Sequence, residues 1–149
     1  MYSTILILHN VLRWGVLLFG LYAITKSVLG LINKREFTKQ ANISHAIFVG
    51  FCHTQLLLGI VLYVISPKVD AALANGFGAA MKDSYSRLLA VEHISINIIG
   101  IALIQVGRTL SKKAIDAAAK YKKSLIFFSI GFILILSRIP WQYSPLFRW

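Results

Sequence analysis

Long apolar stretches constrain this chain more than any other feature of its sequence. Each is close to the length that crosses about 30 Å of hydrocarbon at about 1.5 Å per helical residue. Hydrophobic residues make up 57% of the 149 residues and charged residues only 14%, which leaves too little polar surface to coat a soluble domain. The sequence therefore predicts an all-α polytopic membrane protein, a single domain over residues 1–149 built as a four-transmembrane-helix bundle. The predicted spans are 4–28, 43–65, 88–107 and 124–139.

Basic residues predict how this bundle is oriented. The connections after the first and third stretches carry clusters of Lys and Arg, whereas the middle connection sets Lys68 and Lys82 against Asp70 and Asp83. By the positive-inside rule both termini should lie on the outer, periplasmic side. The basic residues of these two connections account for most of the net charge of +11. A basic patch without a soluble fold favours anionic lipid headgroups over nucleic acid, so the expected partner is the lipid bilayer.

Among the ionisable residues that interrupt the apolar stretches, three are the most informative, namely His9, Glu92 and His93. A charged or titratable group is costly there and is usually kept for a function. If the first stretch begins near Ser3 and the third near Ser86, the two histidines both lie on the order of 10 Å below the outer boundary. Two imidazoles at one depth on two helices can hold a flat cofactor between them. His9 and His93 are therefore the predicted metal ligands, and the cofactor that fits is one haem b.

Arginines surround the same layer. Arg13 lies one helical turn after His9, Arg87 opens the third stretch and Arg138 closes the fourth. Arginines in such places need anions, and the candidates are Glu92, the propionates of a haem, or lipid phosphate.

A polar stripe on the third stretch completes the predicted cofactor site. Asn97 and Gly100 follow His93 at helical spacing and should face the bundle interior. Glycine at this place would let a flat ring lie close to the backbone.

Structural explanations compete with each of these assignments. A membrane histidine can simply hydrogen-bond a neighbouring helix, and this applies most to His45 and His53, which lie at other depths. Glu92 could instead pair with Arg13 or Arg138 and lock the bundle, and Cys52 is expected to be a small core residue. The residues from 141 to 149 are predicted to form an aromatic anchor at the membrane interface. Helix formers after residue 107 should prolong the third helix before a turn, and the middle connection should hold a short surface helix.

Several short elements resemble those of small bacterial four-span membrane proteins that are commonly labelled cytochrome b-like. They are Leu8-His-Asn-Val-Leu-Arg-Trp14, Gly76-Phe-Gly-Ala-Ala-Met-Lys82, Ala90-Val-Glu-His93, Gly107-Arg108 and Ile139-Pro-Trp141. The likeness covers nearly the whole chain. It implies a haem-binding or respiratory-chain-associated protein of the bacterial inner membrane, with recurrent polar positions at His9, Arg13, Glu92, His93 and Arg108.

The function expected from the sequence is that of a small b-type cytochrome. It would pass single electrons in or beside a quinone-linked respiratory assembly, with a quinone as a candidate second cofactor and other membrane subunits as partners. No nucleophile and base stand at a catalytic spacing, so independent catalysis is not expected. One alternative is a cofactor-free accessory or scaffold subunit of a larger complex. Another is a proton-coupled carrier in which Glu92 and His93 titrate.

Overall fold

The computed structural model describes residues 1–141 and contains only helices over that range. The expectation for the tail, residues 142–149, lies outside the described residues. The helices, in chain order, are α1 (Tyr2–Ile32), α2 (Lys39–Ile65), α3 (Pro67–Leu73), α4 (Phe77–Lys82), α5 (Ser84–Arg87), a π-helical turn (Leu88–Glu92), α6 (His93–Lys113) and α7 (Ala117–Ser137).

Three helical segments are long and apolar enough to cross a membrane. They are Tyr2–Ile32, Lys39–Ile65 and the continuous segment Ser84–Lys113. α7 is helical through the predicted fourth stretch as far as Ser137, but its first two turns carry three lysines. The described part of the chain therefore gives three candidate spans where the sequence predicts four. The environment expected for these helices is a lipid bilayer.

The four long helices form a ring in which α1 packs on α2 and α7, and α6 packs on α7 and α2. α1 and α6 consequently lie across the bundle from each other. The core between them is apolar and includes Val16, Phe48, Ile104 and Phe128. Cys52 is fully buried among these side chains, which confirms its predicted place in the core.

Close contact between α6 and α7 depends on two glycines. A Cβ added to Gly131 would lie 2.5 Å from the carbonyl oxygen of Gly100, and a Cβ added to Gly100 would lie 2.9 Å from that of Gly131. Small residues allow helices to approach in this way. The space next to Gly100 is thus filled by α7, and the predicted role of Gly100 beside a flat cofactor is not supported.

His45 ties three helices together near the lysine-rich end of the bundle, by which we mean residues 33–42 and 112–123. The Ser27 hydroxyl donates to the Ala23 carbonyl at 2.9 Å, so its oxygen can only accept from Nε2–H of His45, at 3.0 Å. The other ring nitrogen, Nδ1, then accepts from the Ser124 hydroxyl at 3.1 Å. A fully buried neutral ring with both nitrogens engaged is a structural histidine. His53 is exposed on the outside of α2.

Both predicted connections are present. α6 continues to Lys113 and turns at residues 114–116 before α7. The middle connection contains short helices, with Gly76 at a φ of 85°, a left-handed conformation that glycine adopts readily. This connection, together with the first turns of α1 and the last turn of α7, makes up the opposite end of the bundle, which we call the histidine end.

Candidate functional site

His9 and His93 face the same space across the bundle. Their ring centroids are 6.4 Å apart and their planes are inclined by 70°. This separation is too long for stacked rings in contact, and both rings line a cavity of about 190 Å³ at the histidine end. The cavity lining is mostly apolar. Its polar members include Tyr2, Asn10, Arg13, Gln55, Tyr63, Lys68 and Asn97.

The π-helical turn places His93. A π turn contains an extra residue, so it rotates every following side chain relative to a continuous α-helix, and such turns are frequent at functional sites. A side chain of α2 holds this turn in place, because the Tyr63 hydroxyl donates to the Ala90 carbonyl at 2.8 Å. Nothing in the sequence signals this turn. His93 follows it directly and begins α6.

A capped helix leads into the π turn. The Asp83 carboxylate accepts from the backbone N–H of Ser86 at 2.8 Å and caps α5. Hydrogen bonding from Ser86 lowers the pKa of Asp83. The segment that leads into the π turn and His93 thus begins with a capped helical turn.

Hydrogen bonds select one tautomer of His93. Nδ1 lies 2.6 Å from the Arg138 carbonyl oxygen, which can only accept, so Nδ1 carries the proton and donates. The Asn97 amide donates to the carbonyl of His93 at 2.5 Å. In the neutral ring Nε2 then keeps its lone pair. An imidazole whose Nδ1–H is held by a carbonyl has the form used by histidines that ligate metals.

His9 is held from α2. The Gln55 amide donates to the His9 carbonyl at 2.9 Å, so Gln55 joins α2 to α1. A Cβ added to Gly59 would lie 3.4 Å from Cε1 of His9, an ordinary van der Waals contact, so the His9 ring packs against α2 at this position. Within residues 1–141, Nδ1 of His9 and Oε1 of Gln55 are both buried without a hydrogen-bond partner.

Two of the predicted arginines bind Glu92 instead of lining the cavity. Nε of Arg87 is 2.8 Å from one carboxylate oxygen and Nε of Arg138 is 3.3 Å from the other. The predicted pair between Glu92 and Arg138 is therefore present. Glu92 is also the anion that Arg87 binds, one of the candidates that the sequence gave for these arginines. Neither Arg87 nor Arg138 is among the residues that line the cavity. Their predicted roles beside haem propionates are accordingly not supported.

Arg13 points into the bundle. It is 6% exposed, lies on the buried stripe of α1 and lines the cavity. Its guanidinium is 5.8 Å from the ring centroid of Trp14 and 5.5 Å from that of Trp141. Lys68, on α3, lines the cavity as well and was assigned from the sequence only to the charge balance of its connection.

No protein-family model, curated protein or solved structure matches this chain. Its function has to be inferred from the geometry of the site.

The donor set is compatible with haem. Among residues 1–141 no group of three or more His, Cys, Asp or Glu side chains could hold a metal ion alone. A porphyrin brings four nitrogens and asks the protein for two axial ligands at most. Metal–imidazole bonds of about 2 Å put two axial rings about 6 Å apart from centroid to centroid. The observed separation of the His9 and His93 ring centroids, 6.4 Å, is close to this length.

The volume of the cavity sets a further condition. At about 190 Å³ it is smaller than a typical ligand pocket of about 300 to 1,000 Å³. Entry of a porphyrin therefore requires apolar side chains of the lining, such as Leu56 and Leu89, to change rotamer.

Proposed function

We propose that this chain is a small b-type cytochrome of the bacterial inner membrane, which binds one haem between His9 and His93 and passes single electrons. The observation that carries the proposal is the 6.4 Å separation of two imidazoles on opposite helices, inside an apolar cavity. A bound haem supplies the one-electron redox chemistry.

The chain's own residues would hold the cofactor and set its surroundings. His93 offers Nε2 because the Arg138 carbonyl holds its Nδ1–H. Arg13 and Lys68, both in the cavity lining, are the cationic partners for propionates. The apolar remainder of the lining excludes water, which is one of the ways in which a protein sets a haem potential.

The proposed topology has four spans with both termini outside. α7 supports the fourth span because it is apolar from Ser124 to Leu136, while the lysines in its first turns can extend towards the headgroups. The clustering of basic residues at one end of the bundle supports the orientation.

An electron carrier of this size needs a redox partner within the same membrane. We place that partner in a quinone-linked respiratory assembly, with the chain in or beside it as a subunit. The scaffold alternative needs the same partner and no haem. The carrier alternative is less favoured, because Glu92 is held by two arginines outside the cavity lining.

A visible spectrum tests the haem proposal. The full chain is expressed with haem supplementation, purified in detergent and measured oxidised and reduced. We expect a b-type α-band that H9A and H93A each abolish or strongly weaken. H53A is the matched control, because His53 is an exposed histidine on α2, and it should leave the band intact.

Folded protein without pigment would overturn the haem proposal and favour the scaffold. A band that survives both H9A and H93A would place the haem elsewhere and overturn the assigned ligands. Folding of each variant is checked by circular dichroism.

A further inference from the structure

A second candidate site lies at the lysine-rich end of the bundle, far from the histidine layer. It is a cleft of about 390 Å³, which we call the lysine cleft. The start of α2 and the two residues before it form one side, and the end of α6 and the start of α7 form the other. Its lining residues are Phe37, Thr38, Lys39, Asn42, Lys112 and Lys120.

The charge in the lysine cleft has one sign. Three of its lining residues are lysines, and no carboxylate lines it. The ion pairs within residues 1–141 both involve Glu92, which is at the opposite end of the bundle. Lys120 lies with Nζ 5.5 Å from the ring centroid of Phe37, so part of the cleft wall is aromatic. Like charges held together in a cleft whose lining contains no carboxylate attract an anion.

Two buried groups on the last turns of α6, close to Lys112 along the helix, also lack hydrogen-bond partners within residues 1–141. Arg108 lies one helical turn before Lys112 on the same face of α6, and it is only 9% exposed. Its Nη1 and the Oγ of Ser111 are buried without a hydrogen-bond partner among residues 1–141. Arg108 forms no ion pair with a carboxylate of residues 1–141, so its guanidinium adds to the positive potential of this end.

The position of the cleft identifies the anion. Lys39 is the first residue of α2, Lys112 is next to the last residue of α6 and Lys120 is in the first turn of α7. All three therefore stand at helix ends, where a bilayer crossed by these helices would have its headgroups. Ammonium groups bind phosphate as point charges, and anionic lipids present phosphate at this depth.

We propose that the lysine cleft binds a phosphate group, supplied by the headgroup of an anionic phospholipid. The site is independent of the haem proposal, since it shares no residue with the cavity between His9 and His93.

Lipid titration of the purified full chain tests this proposal. The chain in zwitterionic detergent is titrated with phosphatidylglycerol, with phosphatidylcholine of the same chain length and with inorganic phosphate. Thermal unfolding and native mass spectrometry report binding. We expect phosphatidylglycerol to raise the Tm and to give a bound adduct, and phosphatidylcholine to do neither.

Two matched triple variants distinguish binding in the lysine cleft from a general effect of positive charge. K39Q/K112Q/K120Q removes the cleft lysines, and K34Q/K113Q/K122Q removes three exposed lysines of the same end that do not line the cleft. The cleft variant should bind phosphatidylglycerol roughly a hundredfold more weakly. The control variant should bind it nearly as well as the wild type does, because salt screens distant exposed charges.

Equal weakening by the two triple variants would overturn the proposal, as would equal binding of the two lipids by the wild type. Stabilisation by inorganic phosphate alone, lost in the cleft variant, would keep the phosphate site and reject a lipid as its source. The absence of binding by every probe would reject the site.

Discussion

The Tyr63 hydroxyl reaches across from α2 to the Ala90 carbonyl, 2.8 Å away, inside the π-helical turn that precedes His93. A π turn leaves its carbonyls with less regular hydrogen bonding than an α-helix does. The bond from Tyr63 therefore supports the one segment that decides where the His93 ring points.

Removing this hydroxyl tests its role. Y63F should destabilise the chain by about 1 to 2 kcal/mol, because Ala90 is buried and its carbonyl loses the Tyr63 donor. If haem binds, Y63F should also weaken the α-band or shift its potential. The control is Y22F, since the Tyr22 hydroxyl is exposed and accepts only a long 3.5 Å contact from Gln40. Equal thermal unfolding of Y63F and Y22F would contradict the prediction.

Counting along the helices was enough to bring the two histidines to one level. The rise per helical residue is nearly constant, so depth follows from sequence position. The direction in which an arginine side chain points depends on its rotation about the helix axis. The sequence predicted these directions less well than it predicted depth. It placed Arg13, Arg87 and Arg138 in one layer, but only Arg13 faces the cavity.

Two local features explain why the sequence did not predict the orientation of His93 and the packing of Gly100. The π turn shifts the register just before His93, and no motif announces such a turn. Gly100 has the spacing expected of a cofactor slot, yet the same small residue also permits a close helix crossing, which α7 makes here through Gly131. Sequence alone gives no means to choose between these two uses of a glycine.

The glycine crossing leads to a second prediction. G131A should destabilise the bundle by about 1 to 3 kcal/mol, because the new Cβ would meet the Gly100 carbonyl oxygen, a backbone atom, at 2.5 Å. G50A is the matched control on α2, where an added Cβ meets nothing within 4 Å. It should be neutral or stabilising by up to about 1 kcal/mol. Thermal unfolding in detergent distinguishes the two, and a wild-type Tm for G131A would refute the crossing.

The serine hydroxyls that bond to His45 lead to a third prediction. S124A removes the donor to Nδ1 and S27A removes the acceptor of Nε2–H, so each leaves a buried ring nitrogen without its partner. Each should cost about 1 to 3 kcal/mol in the free energy of unfolding. S44A is the control, because the buried Ser44 hydroxyl donates only to the Ala41 carbonyl of its own helix. If S44A costs as much as S124A, His45 does not join the helices in the way described.

The cap at Asp83 gives a pH dependence. Its pKa is lowered in the folded chain by hydrogen bonding from Ser86, so the carboxylate stabilises the fold above the unfolded pKa of about 3.9. This contribution is lost as the pH falls through the folded pKa. The Tm difference between wild type and D83A should therefore shrink on acidification. Between D83N and D83A the difference should stay constant, since Asn caps without titrating. A pH-independent gap between wild type and D83A would contradict the cap.

Glu92 bridges Arg87 and Arg138 and so connects the π turn to the end of α7. E92Q removes the charge that both guanidinium groups share. Because the three side chains are partly exposed, we expect a loss of about 1 kcal/mol or less. E36Q makes the same change at an exposed glutamate of the lysine-rich end and should cost less than E92Q.

A proton-coupled carrier would respond differently to the same variant. If Glu92 only locks the histidine end, E92Q protein should keep its haem band, with a somewhat lower Tm, because the Arg138 carbonyl that orients His93 belongs to the backbone and is retained. If Glu92 carries protons, E92Q should abolish proton uptake into proteoliposomes that contain the protein. The Tm of the E92Q protein should then hardly change. The visible spectrum, the Tm and the uptake assay on one E92Q preparation therefore separate the two roles, and loss of uptake in pigment-free protein would favour the carrier over the cytochrome.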